Sequence, residues 1–115
     1  MFREEVKQKI EEELARGLAA RVSGFEGRAR VCARRAAGAA VREYLTQRGL
    51  ALPGPGAYDL LAALQDLPGA SDAVRRAAGN LLTRVDETYA LPIDVDLLAE
   101  ARWLAAELEN QAAAS

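Results

Sequence analysis

Apolar residues recur at helical spacing in five stretches of this chain, and no useful length of it alternates as a strand would. In the first stretch Phe2, Val6, Ile10, Leu14 and Leu18 fall every four residues, with Glu4, Glu5, Lys7, Lys9, Glu11 and Glu12 between them. This predicts an amphipathic helix over residues 2–22 with one buried stripe. Two glycines in Ser23-Gly24-Phe25-Glu26-Gly27 end it and turn the chain. The second stretch, residues 28–48, gathers Ala29, Ala33, Ala36, Ala37 and Ala40 with Val41, Tyr44 and Leu45 on one broad arc. So small a face predicts a helix that neighbours approach closely. Arg28, Arg35 and Arg42, seven apart, share its far side, where water should be. A loop from Gly49 to Gly56, with Pro53 and Pro55, follows.

The third helix is expected over residues 58–67, burying Leu60, Leu61, Leu64 and Leu67 and stopped by Pro68-Gly69. The fourth, over 72–90, has Ser71 or Asp72 as N-cap, inward Val74, Ala77, Ala78, Leu81, Val85 and Tyr89, and Pro92 beyond its end. The fifth, over 95–109, has Asp94 as cap, Ile93 placed to staple to Leu98, and a core side of Leu97, Leu98, Ala101, Leu104, Ala105 and Leu108. Asn110 to Ser115 is expected to fray. Short loops between such helices predict one all-α domain over residues 1–115, an antiparallel four- or five-helix bundle.

Composition narrows the chemistry. The chain has no histidine, and Cys32 is its one cysteine, so an intramolecular disulfide is impossible and zinc finds no ligand set. Cys32 stands among alanines and is expected to pack as a small hydrophobe. No apolar run reaches the ~20 residues needed to cross a bilayer. The start, Met-Phe-Arg-Glu-Glu, lacks the basic-then-apolar pattern of a signal peptide, so a cytoplasmic location is expected. There is no P-loop and no Rossmann glycine fingerprint, and no cofactor is expected. Arginine far outnumbers lysine, which a GC-rich genome explains without any function.

Net charge is -2, unevenly spread. Residues 1–48 carry eleven basic and seven acidic side chains, residues 49–115 four and ten. Such asymmetry marks two halves or two subunits attracting each other, or an anionic partner such as RNA or a nucleotide. Arg30 and Arg34 depart from the solvent stripe and lie on the apolar side of the second helix. Three readings stand for them: an ion pair, inside the bundle or across a subunit interface, with Asp86, Glu87, Asp94, Asp96 or Glu100; an anion site, since arginine grips phosphate in a fork; or snorkelling to water. Asp94 and Asp96 are most simply a helix cap and a first-turn acid, and their spacing matches no established metal loop. Trp103 falls off the main stripe of the fifth helix, which suits a subunit interface.

The order of these features resembles the HEPN superfamily of small helical bundles, over about residues 24–108. Gly27 precedes a helix reading Ala29, Cys32, Ala33, Arg34, Arg35, Ala36, Ala37, Gly38, Ala39, Ala40, Val41, Arg42, closed by Leu45 and Gly49. Tyr58-Asp59-Leu60-Leu61 stands where the family often has a His-Asp-Leu start, and Tyr89 and Asp94 to Leu98 correspond further on. The resemblance implies a HEPN-like fold, a homodimer, and company with a minimal nucleotidyltransferase or a toxin–antitoxin pair. Ribonuclease members carry an Arg followed by a His at the end of the long helix before the last one. Here Arg84 and Tyr89 occupy that region, and tyrosine, with a usual pKa near 10, is a poor base at neutrality. The mid-helix glutamate common in the family is Gly38. The expected function is therefore a non-catalytic, dimeric binding or scaffold module of bacterial or archaeal type, with a protein partner. The alternatives are a divergent ribonuclease or nucleotide-acting enzyme using Arg84, Tyr89 and the acids near Asp94, and a purely structural dimer.

Overall fold

The computed structural model describes residues 1–85 and 90–114, and over these the chain is an all-α bundle of five helices. They are α1 (Glu4–Val22), α2 (Glu26–Gln47), α3 (Ala57–Gln65), α4 (Asp72–Leu82) and α5 (Leu97–Ala114). Contacts between their ends set the directions. The start of α1 meets the end of α2 through Arg3 and Glu43, and the end of α5 through Phe2 N–H and Glu109. The other end of α1 meets the region before α5 through Arg21 and Asp96. So α1 is antiparallel to both α2 and α5, and those two run parallel, joined at one end by Tyr44 donating to Gln111. On the far side of α2, Arg34 reaches the end of α4, while Asn80 of α4 donates to Glu100 near the start of α5.

The tight α1–α2 turn depends on one residue with positive φ. Gly24, at φ 86°, lets Phe25 N–H reach back to the carbonyl of Ala20, a bond that closes helix ends well only where an L side chain is absent. Gly49, at φ 69°, closes α2 in the same way, with Leu50 N–H bonded to Leu45 O.

The alanine arc of α2 faces the core as expected: Ala29, Ala33, Ala36, Ala37 and Ala40 are fully buried, and Cys32 packs with them. Large side chains from the other helices, including Leu61, Leu64, Leu81, Leu97, Leu104 and Leu108, fill the space the alanines leave. Gly17 of α1 marks the closest approach. A Cβ there would lie 2.5 Å from a methyl of Leu98, 3.2 Å from Cys32 Cβ and 3.3 Å from the Ala29 carbonyl.

Several expectations are corrected. Phe2, Ile10 and Leu14 are buried as expected, but Leu18 is exposed, and Glu13, Gly17 and Ala20 complete the buried side of α1. A strict four-residue spacing gains on the helical repeat by about 40° per step, so the apolar series slides off the buried side by Leu18. The fourth helix ends at Leu82 rather than near residue 90, and Val85, expected inside, is exposed. Thr83 turns extended, its hydroxyl donating to the carbonyl of Gly79, and Arg34 takes the freed carbonyls. Asp86, Glu87 and Tyr89 lie outside the described residues. The last helix starts at Leu97, and its cap is Asp96, whose Oδ1 accepts from the N–H groups of Leu98 and Ala99; Asp94 stays exposed outside it. Val95, not Ile93, packs against the core before that cap. The residues expected to fray, from Asn110 to Ala114, continue the helix. Ser71 does cap α4, accepting from Val74 N–H at 3.1 Å.

Two carboxylates are buried that the spacing did not mark, Glu13 and Glu43. Glu43 takes the backbone N–H of Arg3 at 2.9 Å and its Nε at 3.0 Å, with Gln47 adding a longer bond. Burial alone would push its carboxyl up. The hydrogen bonds and charge of Arg3, with Gln47, outweigh that and hold it below the usual carboxylate range. A carboxyl depressed in the fold stabilises it above the unfolded value of about 4.3, and the gain is lost as pH falls through the folded value. Glu43→Gln is therefore expected to lower Tm at pH 7, with the gap to the parent closing below about pH 4. Melting curves at both pH values check this, and a gap that stays constant contradicts it.

Candidate binding surfaces beside the arginine helix

The outer side of α2 is built as its spacing predicted, with Arg28, Arg35 and Arg42 exposed along one line. Concave surfaces lie along it. One is a groove of about 680 Å³ between the second half of α1 and the first half of α2. Its apolar lining is Ala19, Ala20, Phe25, Val31 and Cys32, and Arg16, Arg28 and Arg35 stand around it. Phe25 is 56 % exposed and Val31 42 %, and the Arg28 guanidinium lies 5.3 Å from the Phe25 ring centre. The α1–α2 turn itself is held by Arg21, which grips Glu26 through Nε and Nη2 and Asp96 through Nη1. Those bonds, from Glu26 above all, raise the Arg21 pKa against the effect of burial. The rim of the groove is thereby tied to the start of α5.

The second concavity is a cleft of about 380 Å³ where α1 and α2 meet the start of α3, lined by Lys9, Glu13, Arg35, Gly38, Arg42 and Ala57 among others. Gly38 sets its depth: a Cβ there would meet Ala57 Cβ at 3.1 Å and Ala57 Cα at 3.2 Å. Any side chain at Gly38 would press against the first turn of α3.

The residues singled out on the apolar side of α2 do something different from what their partners suggested. Arg34 donates from Nε to the carbonyl of Leu81 at 2.9 Å and from Nη2 to that of Thr83 at 2.8 Å. Among the described residues no carboxylate pairs with it. It caps the C-terminus of α4, where orphan carbonyls and the helix dipole both favour a cation. Burial first, then repulsion from Arg84 and Arg30, lowers its pKa against the pull of Tyr58. Arg30 is half-buried beside it. Of the carboxylates named as partners for these two, Asp96 pairs with Arg21 and Glu100 accepts from Asn80. The other candidate, Arg84, lies over the Tyr58 ring at 4.1 Å, with Arg34 5.3 Å from the same ring. Tyr58 is therefore a stacking platform for two guanidinium groups.

Among the described residues no three acidic, Cys or His side chains converge on a possible metal position, and no helix is long and apolar enough to cross a membrane. Trp103 is 41 % exposed on the outer side of α5, over a shallow recess with Arg76 and Glu100. No family model, curated protein or solved structure matches the chain.

Sequence reasoning missed Glu13 and the groove. Glu13 lies in a run of acids, Glu11-Glu12-Glu13, that reads as solvated surface, and only the rotation of α1 turns its third member inward. The groove needs two helices to exist, so neither helix's periodicity carries it.

Proposed function

We propose that this protein is a HEPN-like, non-catalytic binding module that docks an acidic amphipathic helix of a protein partner in the α1–α2 groove. The observation that carries this reading is the pairing of an exposed apolar floor, Phe25 and Val31, with the arginines Arg16, Arg28 and Arg35 around it. An apolar helix face seats in such a groove, and glutamates flanking that face meet the arginines. Arg84 lying on Tyr58 supports the non-catalytic side of the reading, as does the want of histidine. A homodimer through the Trp103 side of α5 belongs to the same proposal, and leaves the groove open on each copy. The partner class that the HEPN resemblance suggests is a nucleotidyltransferase or an antitoxin-type protein, and the setting is cytoplasmic.

Fluorescence anisotropy with two synthetic amphipathic helices tests this, one with a leucine stripe flanked by glutamates and the other with the same stripe flanked by lysines. The acidic helix is expected to bind, to weaken as salt rises, and to lose at least tenfold in affinity to the variant R28E/R35E. Equal binding of both helices, or of neither, overturns the proposal. RNA cleavage that disappears in both Arg84→Ala and Tyr89→Phe would instead favour the enzyme.

A further inference from the structure

The outer side of α4 and α5 carries a knob and a hollow next to each other. Trp103 is the one tryptophan of the chain, and 41 % of it is exposed. Beside it α4 presents Ala73 and Ala77, too short to cover the ring, and the recess they leave measures about 290 Å³. Arg76 and Glu100 line that same recess from the two helices. They do not pair with each other, and among the described residues neither makes an ion pair elsewhere. Arg76 is exposed, and Glu100 spends one oxygen on the Asn80 amide. The face thus holds an uncovered ring, a hollow of alanines, an unspent cation and a carboxylate that no cation meets.

We infer that a second copy of this chain covers this face about a two-fold axis along the α4–α5 seam, with Trp103 of each copy seated on Ala73 and Ala77 of the other and Arg76 paired with Glu100 across the axis. The inference rests on the reading of the Trp103 side as a subunit contact, and adds its symmetry, the seat of the ring and the charges that set the register. A two-fold along the seam exchanges the two helices and keeps position along them. It therefore lays each feature of α5 over whatever stands beside that feature on α4. Trp103 stands beside Ala73 and Ala77, and Glu100 lines one recess with Arg76. A knob beside a hollow and a cation near an unpaired carboxylate are then both satisfied, and each twice. A partner of one sign would leave one of the two charges facing its like; a second copy answers both. The ring carries most of the affinity, since a tryptophan shut from water outweighs an ion pair at the rim of an interface. With one large apolar side chain on the face, the dimer is expected to dissociate in the micromolar range.

Sedimentation velocity of the full chain decides it, run from low to high micromolar concentration with Trp103 emission followed alongside. The chain has one tryptophan, so its emission reports on this face. The parent is expected to pass from monomer to dimer as concentration rises, with emission moving to the blue in step. Arg76→Glu and Glu100→Arg are each expected to weaken the dimer at least tenfold, since each sets like charges against one another across the axis. An equal mixture of the two variants should dimerise again, because both pairs in the mixed dimer are of opposite sign. A fold lost in either variant could not give that rescue. Should Glu100→Arg not fold, Ala73→Glu replaces it: an acid suits the exposed first turn of α4, and its carboxylate falls where the ring would sit, so the fold stays and the dimer goes. The inference fails if the parent stays monomeric, if emission does not follow the dimer, if the folded charge variants do not rescue each other, or if Ala73→Glu leaves the dimer intact. Docking of the acidic helix is read separately in Arg76→Glu, where it is expected to be unchanged. A monomeric parent that still binds that helix removes this interface and keeps the groove.

Discussion

Leu104→Ala is expected to cost about 2–5 kcal/mol, near the upper end of that range, with a fall of roughly 10–20 °C in Tm. Leu104 is fully buried on α5. Because α2 and α5 run parallel, with Leu98 near Cys32 at one level and Gln111 bonded to Tyr44 at another, Leu104 lies about level with Ala37. The cost of a cavity depends on how far its walls relax into it. A wall of alanines on a helix has no rotamers to change, so it closes the gap only by moving the whole helix. α2 is held against that movement by Arg3 and Glu43 at one end and by Gly17 seated on the Ala29 carbonyl at the other. Thermal and urea unfolding of parent and variant measure the loss. A change under about 1.5 kcal/mol would mean that the alanine wall is softer than its geometry implies.

The opposite change gives the second large effect. Ala37→Leu is expected to destabilise by about 1–3 kcal/mol, even though leucine is nearly as good a helix former and far more apolar. Ala37 has no exposure at all, and three added carbons find no room among the helices packed on α2. An exposed control, Ala62→Leu on α3, is expected to change stability by less than about 0.5 kcal/mol. The two core changes are complementary in volume and lie on one level, so the double variant L104A/A37L should be more stable than the sum of its parts by about 1 kcal/mol or more. Strict additivity would show that the two sites do not share a wall, and would relocate the closest packing of the bundle.

How far this architecture was legible varies by element. The Ser71 cap, Leu60, Leu61 and Leu64 on α3 and the alanine face of α2 depend on residues near one another along the chain, and each stands where its spacing put it, while Leu67, expected in the same helix, lies beyond its end at Gln65 and is only partly buried. The end of α4 was not legible. Its apolar series runs on past Leu81 without glycine or proline, and the carbonyl of Leu81 is met from forty-seven residues earlier, by Arg34. The position of Arg34 was marked as important while its partner was misjudged, because a guanidinium meets its needs equally well with carbonyls or carboxylates. Asp94 and Asp96 are interchangeable as caps by type, and the choice fell to Asp96, which Arg21 also holds.

Periodicity and composition, being local properties, were enough to establish the all-α class, the five helices, the inward side of α2 and the outward line of Arg28, Arg35 and Arg42. Which charges are spent and which are free emerged only when the helices met, since a charge is neutralised by whatever faces it and not by its neighbours in the chain. Glu13 and Glu43 carry the same side chain on neighbouring helices, yet Arg3 meets both oxygens of one, and the other keeps an oxygen without a partner. That difference, together with the close approach of Ala57 to Gly38 at the first turn of α3, comes from packing alone.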